Sequence, residues 1–204
     1  MNIRGISIAL LSLTAFAAQA ETPFYAGGGI GVTDYDQKVA LGNEATGSID
    51  ISGDAMGIQI FAGIELDPRW ALEVGYLDFG TRKESVTVDS DPIATFKYES
   101  RAAYLNGQYH IPVGDTLSVD LSAGWAFGKA KASLEARGDF DAPAQRDDYS
   151  DNGLMLGLGV TIKVTDLVYL RGTANYFDLT YDEDGAGDFT DEPIRLGIDA
   201  IIDF

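Results

Sequence analysis

Apolar and polar residues alternate along the chain with a period of two. In Leu117–Phe127, one face carries Leu117, Val119, Leu121, Ala123, Trp125 and Phe127, and the other Ser118, Asp120, Ser122, Gly124 and Ala126. A helix would place Asp120 and Ser122 among the leucines, so the pattern predicts a strand with one apolar and one polar or small face. The same reading holds for Met56–Leu66, Leu154–Val164, Val168–Tyr176 and Ile194–Phe204. It holds more loosely, diluted by small residues, for Phe24–Tyr35, Trp70–Phe79 and Arg101–Ile111. Eight strands are predicted.

Their connections fall into two kinds. Tight turns follow the second, fourth and sixth strands, at Asp67-Pro68-Arg69, Pro112–Thr116 and Thr165-Asp166. Long polar stretches follow the odd-numbered strands, near 36–53, 80–99, 130–152 and 179–193. Short turns at one end and long loops at the other is the organisation of a transmembrane β-barrel. An even strand number puts both termini on the short-turn, periplasmic side. Eleven residues at about 3.3 Å each, tilted by about 40°, rise roughly 28 Å, enough for an apolar band about 25 Å tall. A soluble sandwich would instead have to bury all eight apolar faces. It would also leave outside a face bearing Gly57, Gly63, Gly124, Gly157, Gly159 and Gly197, where a solvated sheet normally shows charged side chains.

The first twenty residues read differently. Arg4 precedes an apolar run, Ile6–Ala18, and Ala18-Gln19-Ala20 has the small-residue spacing of a signal-peptidase site. The expected division is a cleaved signal peptide over 1–20 and one barrel domain over 21–204. Composition then narrows the function. The chain has 14 basic and 32 acidic residues, a formal charge of −18, and no cysteine. Such acidity opposes nucleic-acid binding. Without cysteine there is no disulfide scaffold and no Cys-based zinc site.

Three stretches resemble the eight-stranded outer-membrane β-barrel superfamily, of the OmpA-like transmembrane kind. They are Phe24-Tyr25-Ala26-Gly27-Gly28-Gly29-Ile30-Gly31, Leu72-Glu73-Val74-Gly75-Tyr76-Leu77-Asp78-Phe79-Gly80, and the closing alternation ending in Phe204. The resemblance spans essentially all of 21–204. It implies an all-β, eight-stranded antiparallel up-and-down barrel in the outer membrane, with short periplasmic turns and long extracellular loops. It also implies that terminal Phe204 is the signal read by the barrel-assembly machinery. No peptidoglycan-binding domain is expected after the barrel.

The charged residues sort by location. The long loops and their flanks (33–54, 80–100, 131–151 and 178–193) hold 22 acidic and 7 basic residues. Alternation places Glu65, Glu73, Asp120, Lys163, Arg171, Arg195 and Asp199 in the lumen. Unpaired buried charge is costly, so these should pair into a polar plug; the competing reading is a gate whose pairs exchange. In the last loop, Asp182, Asp184 and Asp188 are weak candidates for calcium, but the EF-hand ligands at positions five and twelve are missing. No cofactor, metal or catalytic residue is otherwise assigned. The single histidine, His110, sits at the periplasmic end of strand four, away from the outer rim where barrel enzymes meet lipid A. Trp70, Tyr109 and Phe204 at one end, and Tyr35, Tyr76, Trp125, Phe127 and Tyr176 at the other, are expected to form interfacial girdles. The expected protein is a monomeric structural or surface-interaction barrel, in contact with outer-membrane lipid, lipopolysaccharide and an extracellular ligand through its acidic loops. The alternative is a narrow, porin-like channel for small solutes.

Overall fold

A computed structural model describes residues 23–40, 48–88, 91–136, 145–181 and 189–204. Nine strands occur among them: β1 (Phe24–Ala40), β2 (Ser48–Asp67), β3 (Trp70–Val88), β4 (Asp91–Pro112), β5 (Leu117–Ala136), β6 (Gln145–Lys163), β7 (Val168–Tyr181), β8 (Phe189–Asp191) and β9 (Ile194–Asp203). Each long strand pairs antiparallel with its sequence neighbour, and β7 pairs with β9. The wall closes where β1 meets β9, from Tyr25↔Asp203 to Asp34↔Ile194. Eight strands therefore make the barrel. The three-residue β8 pairs only with the top of β7, from Leu179↔Asp191 to Tyr181↔Phe189.

Closure satisfies the backbone within the sheet, and this is what permits a strand to cross hydrocarbon. The alternating apolar face then points outward. Met56 is 71% exposed and Ile198 66% exposed, whereas Arg195 and Phe79 are fully buried. This inverts the burial expected of a water-soluble fold. The outward run on β5 begins at Leu117 and ends at Phe127, ten steps or about 25 Å along the barrel axis.

The short turns have simple local causes. Asp67 folds its carboxylate back to accept from the backbone N–H groups of Arg69 (2.7 Å) and Trp70 (3.0 Å). Thr165 Oγ1 does the same for Leu167 (3.3 Å) and Val168 (3.0 Å). Between β4 and β5 the chain turns at Gly114, with φ of +87°. Both termini lie at this end, where Phe204 N–H donates to the Phe24 carbonyl (2.9 Å) and the two rings stand 5.8 Å apart.

At the other end the structure departs from the expected long loops. Strand pairing continues from Thr33↔Ala55 to Ala40↔Ser48, from Gly80↔Ser100 to Val88↔Asp91, and from Ala130↔Tyr149 to Leu134↔Gln145. Much of 36–53, 80–99 and 130–152 is therefore hairpin. Above the membrane both faces of a strand meet water, so hydrophobic alternation ceases while pairing does not. Asp182, Asp184 and Asp188 lie outside the described residues.

A second departure concerns the lumen. Its outer half holds a buried apolar cluster of Leu77, Phe79, Met155, Phe177 and Leu179, in which the Phe79 and Phe177 rings meet edge-on at 5.0 Å. Phe79 lies within a bulge between Asp78 and Gly80, where Gly80 has φ of +98° and Asp78 accepts its N–H at 2.9 Å. The bulge re-aims β3 above Leu77, as bulges generally do.

Candidate functional site

Below the apolar layer, polar side chains meet at mid-barrel. Glu73 of β3 is 1% exposed and is the hub. Its Oε2 accepts from Arg171 Nη1 at 2.9 Å and from the Tyr25 hydroxyl at 3.2 Å, and its Oε1 accepts from the Tyr104 hydroxyl at 2.9 Å. Around the barrel, β3 and β7 stand four strands apart in a ring of eight. The Arg171–Glu73 contact is thus a strut across the full diameter. Arg171 also donates to Gln108 Oε1 at 3.1 Å and lies 4.3 Å from the centre of the Phe61 ring, a cation–π distance.

A second arm reaches the hub from β9. Arg195 Nη1 donates to Gln59 Oε1 at 2.8 Å, Gln59 donates to the Tyr104 hydroxyl, and Tyr104 donates to Glu73. Asp199 is the least well served member. It is fully buried, and the nearest Arg171 nitrogen, Nε, is 3.6 Å from its Oδ2.

Glycines make room for this arrangement. Tyr25 of β1 is the cross-strand partner of Gly63 on β2, and Tyr104 of β4 is that of Gly75 on β3. A Cβ on Gly63 would fall 2.2 Å from the Tyr25 ring, and one on Gly75 2.3 Å from the Tyr104 ring. Each tyrosine lies flat over its glycine, which brings its hydroxyl to Glu73.

Of the seven charged residues placed in the lumen from the sequence, Glu73, Arg171, Arg195 and Asp199 meet at this centre. Asp120 is buried, but its partner is none of the lumen bases. His110 Nδ1 lies 2.8 Å from its Oδ1, the Ser118 hydroxyl donates at 2.8 Å, and Thr161 donates to Oδ2. Lys163 stands apart: at the turn end of β6 its long side chain reaches out to Asp166, 3.0 Å away. Glu65 is likewise at the short-turn mouth, where it lines a cavity of about 200 Å³ with His110, Tyr169 and Asp203. Tyr25, Gln59, Tyr104 and Gln108 were not singled out from the sequence. Their signal is parity, since each shares the inward register of its strand.

The space left inside the network is about 20 Å³, bordered by Gln59, Glu73, Asn106, Gln108 and Arg171. One water molecule needs roughly 10–15 Å³ by this measure. At mid-height the lumen is filled by side chains.

The girdles are present where their side chains are described. Trp70 and Tyr109 rings lie 4.8 Å apart at the short-turn end. Trp125 and Phe127 are exposed at the far edge of the apolar band, and Trp125 Nε1 donates to Asn152 at 2.9 Å.

A closed antiparallel wall of eight strands, apolar outside and lined within by polar and aromatic side chains, defines a small transmembrane β-barrel. The chain belongs to the family described as outer membrane protein beta-barrel domain, whose profile matches residues 6–199. Solved structures of the same fold include OprG of Pseudomonas aeruginosa, 13% identical with a TM-score of 0.60, covering 90% of this chain and 96% of OprG. Neisserial surface protein A is 16% identical with a TM-score of 0.58, covering 89% of this chain and 97% of that one. Ail, the attachment invasion locus protein of Yersinia pestis, was crystallised with the heparin analogue sucrose octasulfate. It is 14% identical with a TM-score of 0.56, covering 91% of this chain and all of Ail. A search of curated proteins found no match. The protein is an outer-membrane barrel, with the short-turn end toward the periplasm.

Proposed function

We propose that the protein is a closed, non-conducting barrel whose role lies at the cell surface, where its hairpins meet an extracellular partner. The observation that carries this is the strut from Arg171 to Glu73 inside a lumen with only about 20 Å³ of free space at that level. Acidic residues outnumber basic ones 22 to 7 in the hairpins and their flanks, so a partner with net positive charge fits. This differs from the polyanion bound to Ail. The chain acts as a monomer, is exported by a signal peptide over 1–20, and is inserted by the assembly machinery through Phe204.

No catalytic role is assigned. The hydroxyls of Ser118 and Thr161 both donate to Asp120 and not to the imidazole of His110. Planar-bilayer recording of the purified barrel tests the proposal, and the expected result is no steady conductance. A stable open channel would overturn it and support transport of small solutes. That second reading draws on the cavity of about 200 Å³ at the short-turn mouth, which extends up to Arg171.

A further inference from the structure

Below the strut, toward the short turns, lies the cavity of about 200 Å³. One water takes roughly 10–15 Å³ by this measure, so there is room for a molecule of several heavy atoms. Two carboxylates stand at its mouth, Glu65 near the end of β2 and Asp203 at the end of β9. They flank the start of β1: the Glu65 N–H donates to the Pro23 carbonyl, and Asp203 is the cross-strand partner of Tyr25. The two act on each other electrostatically, and like charges sharing a site disfavour one another unless a cation lies between them.

The bases that act on them are committed elsewhere. His110 is held by Asp120 at 2.8 Å, and Lys163 turns out to Asp166 at 3.0 Å. Arg171, on the cavity floor, lies 2.9 Å from Glu73 and 3.6 Å from Asp199. Among the described residues no base forms an ion pair with Glu65 or Asp203.

His110 supplies a third acceptor. Asp120 also accepts from the Ser118 and Thr161 hydroxyls, so the imidazole proton facing it sits on Nδ1. In the neutral ring Nε2 is then an acceptor, on a ring that lines the cavity. The walls suit a cation with a hydrocarbon tail. Tyr25 covers Gly63 with one ring face and turns the other to the lumen, and aromatic faces attract cations. Ile201, Pro68 and Pro112 add apolar surface, and the Tyr169 hydroxyl steadies Asp203 by a hydrogen bond.

We infer that this cavity is a binding site for a small primary alkylammonium ion entering from the periplasm. The three N–H donors of such an ion match Glu65, Asp203 and His110 Nε2, and its tail lies against Tyr25 and Ile201. A metal ion is the poorer match, since among the described residues no three His, Asp or Glu side chains converge as ligands. The site lies below the Arg171–Glu73 strut, so its occupancy is independent of conduction and of what the hairpins bind.

His110 is the one histidine of the chain, so histidine-selective isotope labelling of the untagged barrel in detergent micelles puts a single NMR reporter at the site. Titration with n-butylammonium chloride, at constant ionic strength and mildly alkaline pH, should move its Nε2 resonance saturably. n-Butyltrimethylammonium, with the same tail and no N–H donor, should move it little at the same concentrations. Glu65→Gln and Asp203→Asn should each raise the apparent Kd about tenfold. Asp54→Asn, at the opposite end of β2, should leave it unchanged. A heat-modifiable gel shift reports which variants are folded, and either carboxylate variant suffices; should neither fold, the comparison of the two ammonium ions on the wild type decides. No saturable shift in the folded wild type, or undiminished affinity in a folded Glu65 or Asp203 variant, would overturn the site. An equal response to n-butyltrimethylammonium would overturn recognition through the N–H donors, and the same shift with calcium chloride would overturn the organic cation in favour of a metal.

Discussion

Replacing Arg171 by methionine keeps most of the side-chain volume and removes the charge that ties β7 to β3. At 2.9 Å and an effective dielectric near 20, the attraction is about 6 kcal/mol. Part of it is offset by the desolvation of both ions. Glu73 keeps its two tyrosine donors but loses the one cation in contact with it among the described residues, and Asp199 loses the guanidinium 3.6 Å away. Removing one partner of a buried pair typically costs about 3–5 kcal/mol, and Arg171→Met should fall in that range. The double variant Arg171→Met with Glu73→Leu should recover part of the loss, because it leaves no uncompensated carboxylate at position 73, while Asp199 still lacks Arg171. Urea unfolding in lipid vesicles, read by gel mobility and tryptophan fluorescence, measures both. A loss below about 1 kcal/mol for Arg171→Met, the magnitude of a screened surface pair, would refute the proposal that side chains close the lumen to solvent at this level.

Three further outcomes follow from the same geometry. Gly75→Val sets a branched side chain where even a Cβ comes 2.3 Å from the Tyr104 ring; it should destabilise the barrel by about 1–3 kcal/mol, seen as a lower urea midpoint. Asp166→Asn breaks only the exposed pair with Lys163, and the same titration should shift by less than about 1 kcal/mol. Phe204→Ala removes the ring against Phe24 and the proposed assembly signal. It should lower the fraction of heat-modifiable barrel in outer membranes while leaving refolding in detergent micelles close to normal.

The transmembrane part of the fold is legible because the bilayer enforces the period. Lipid selects an apolar side chain at Leu154, Leu156 and Leu158, while the lumen admits Gly157 and Gly159 between them. Outside that slab nothing enforces alternation, so the paired stretches 36–40, 80–88 and 130–136 read as loops. Within the lumen, parity locates residues but not their partners. Lys163 has the inward parity of β6, yet it sits close enough to the rim for its flexible stem to turn out to Asp166. Asp120 appeared to need a base from across the barrel, and register instead delivers His110 as its direct cross-strand neighbour. Leu77 and Phe79 share the inward parity of Glu73, and Phe177 that of Arg171, but alternation assigns apolar side chains to the lipid face, so they did not read as lumen residues.

The strut also bears on how the barrel is made. Arg171 and Glu73 are 98 residues apart in sequence and face each other only when the sheet has curled fully round. Contacts of such long range form late and slowly. Until β9 reaches β1, the hub carboxylate and its guanidinium stand on the open concave side of an unfinished sheet, each still hydrated. Shedding that water and closing the last seam are then one event. The charges that stopper the finished barrel thereby help to define the moment at which it is finished.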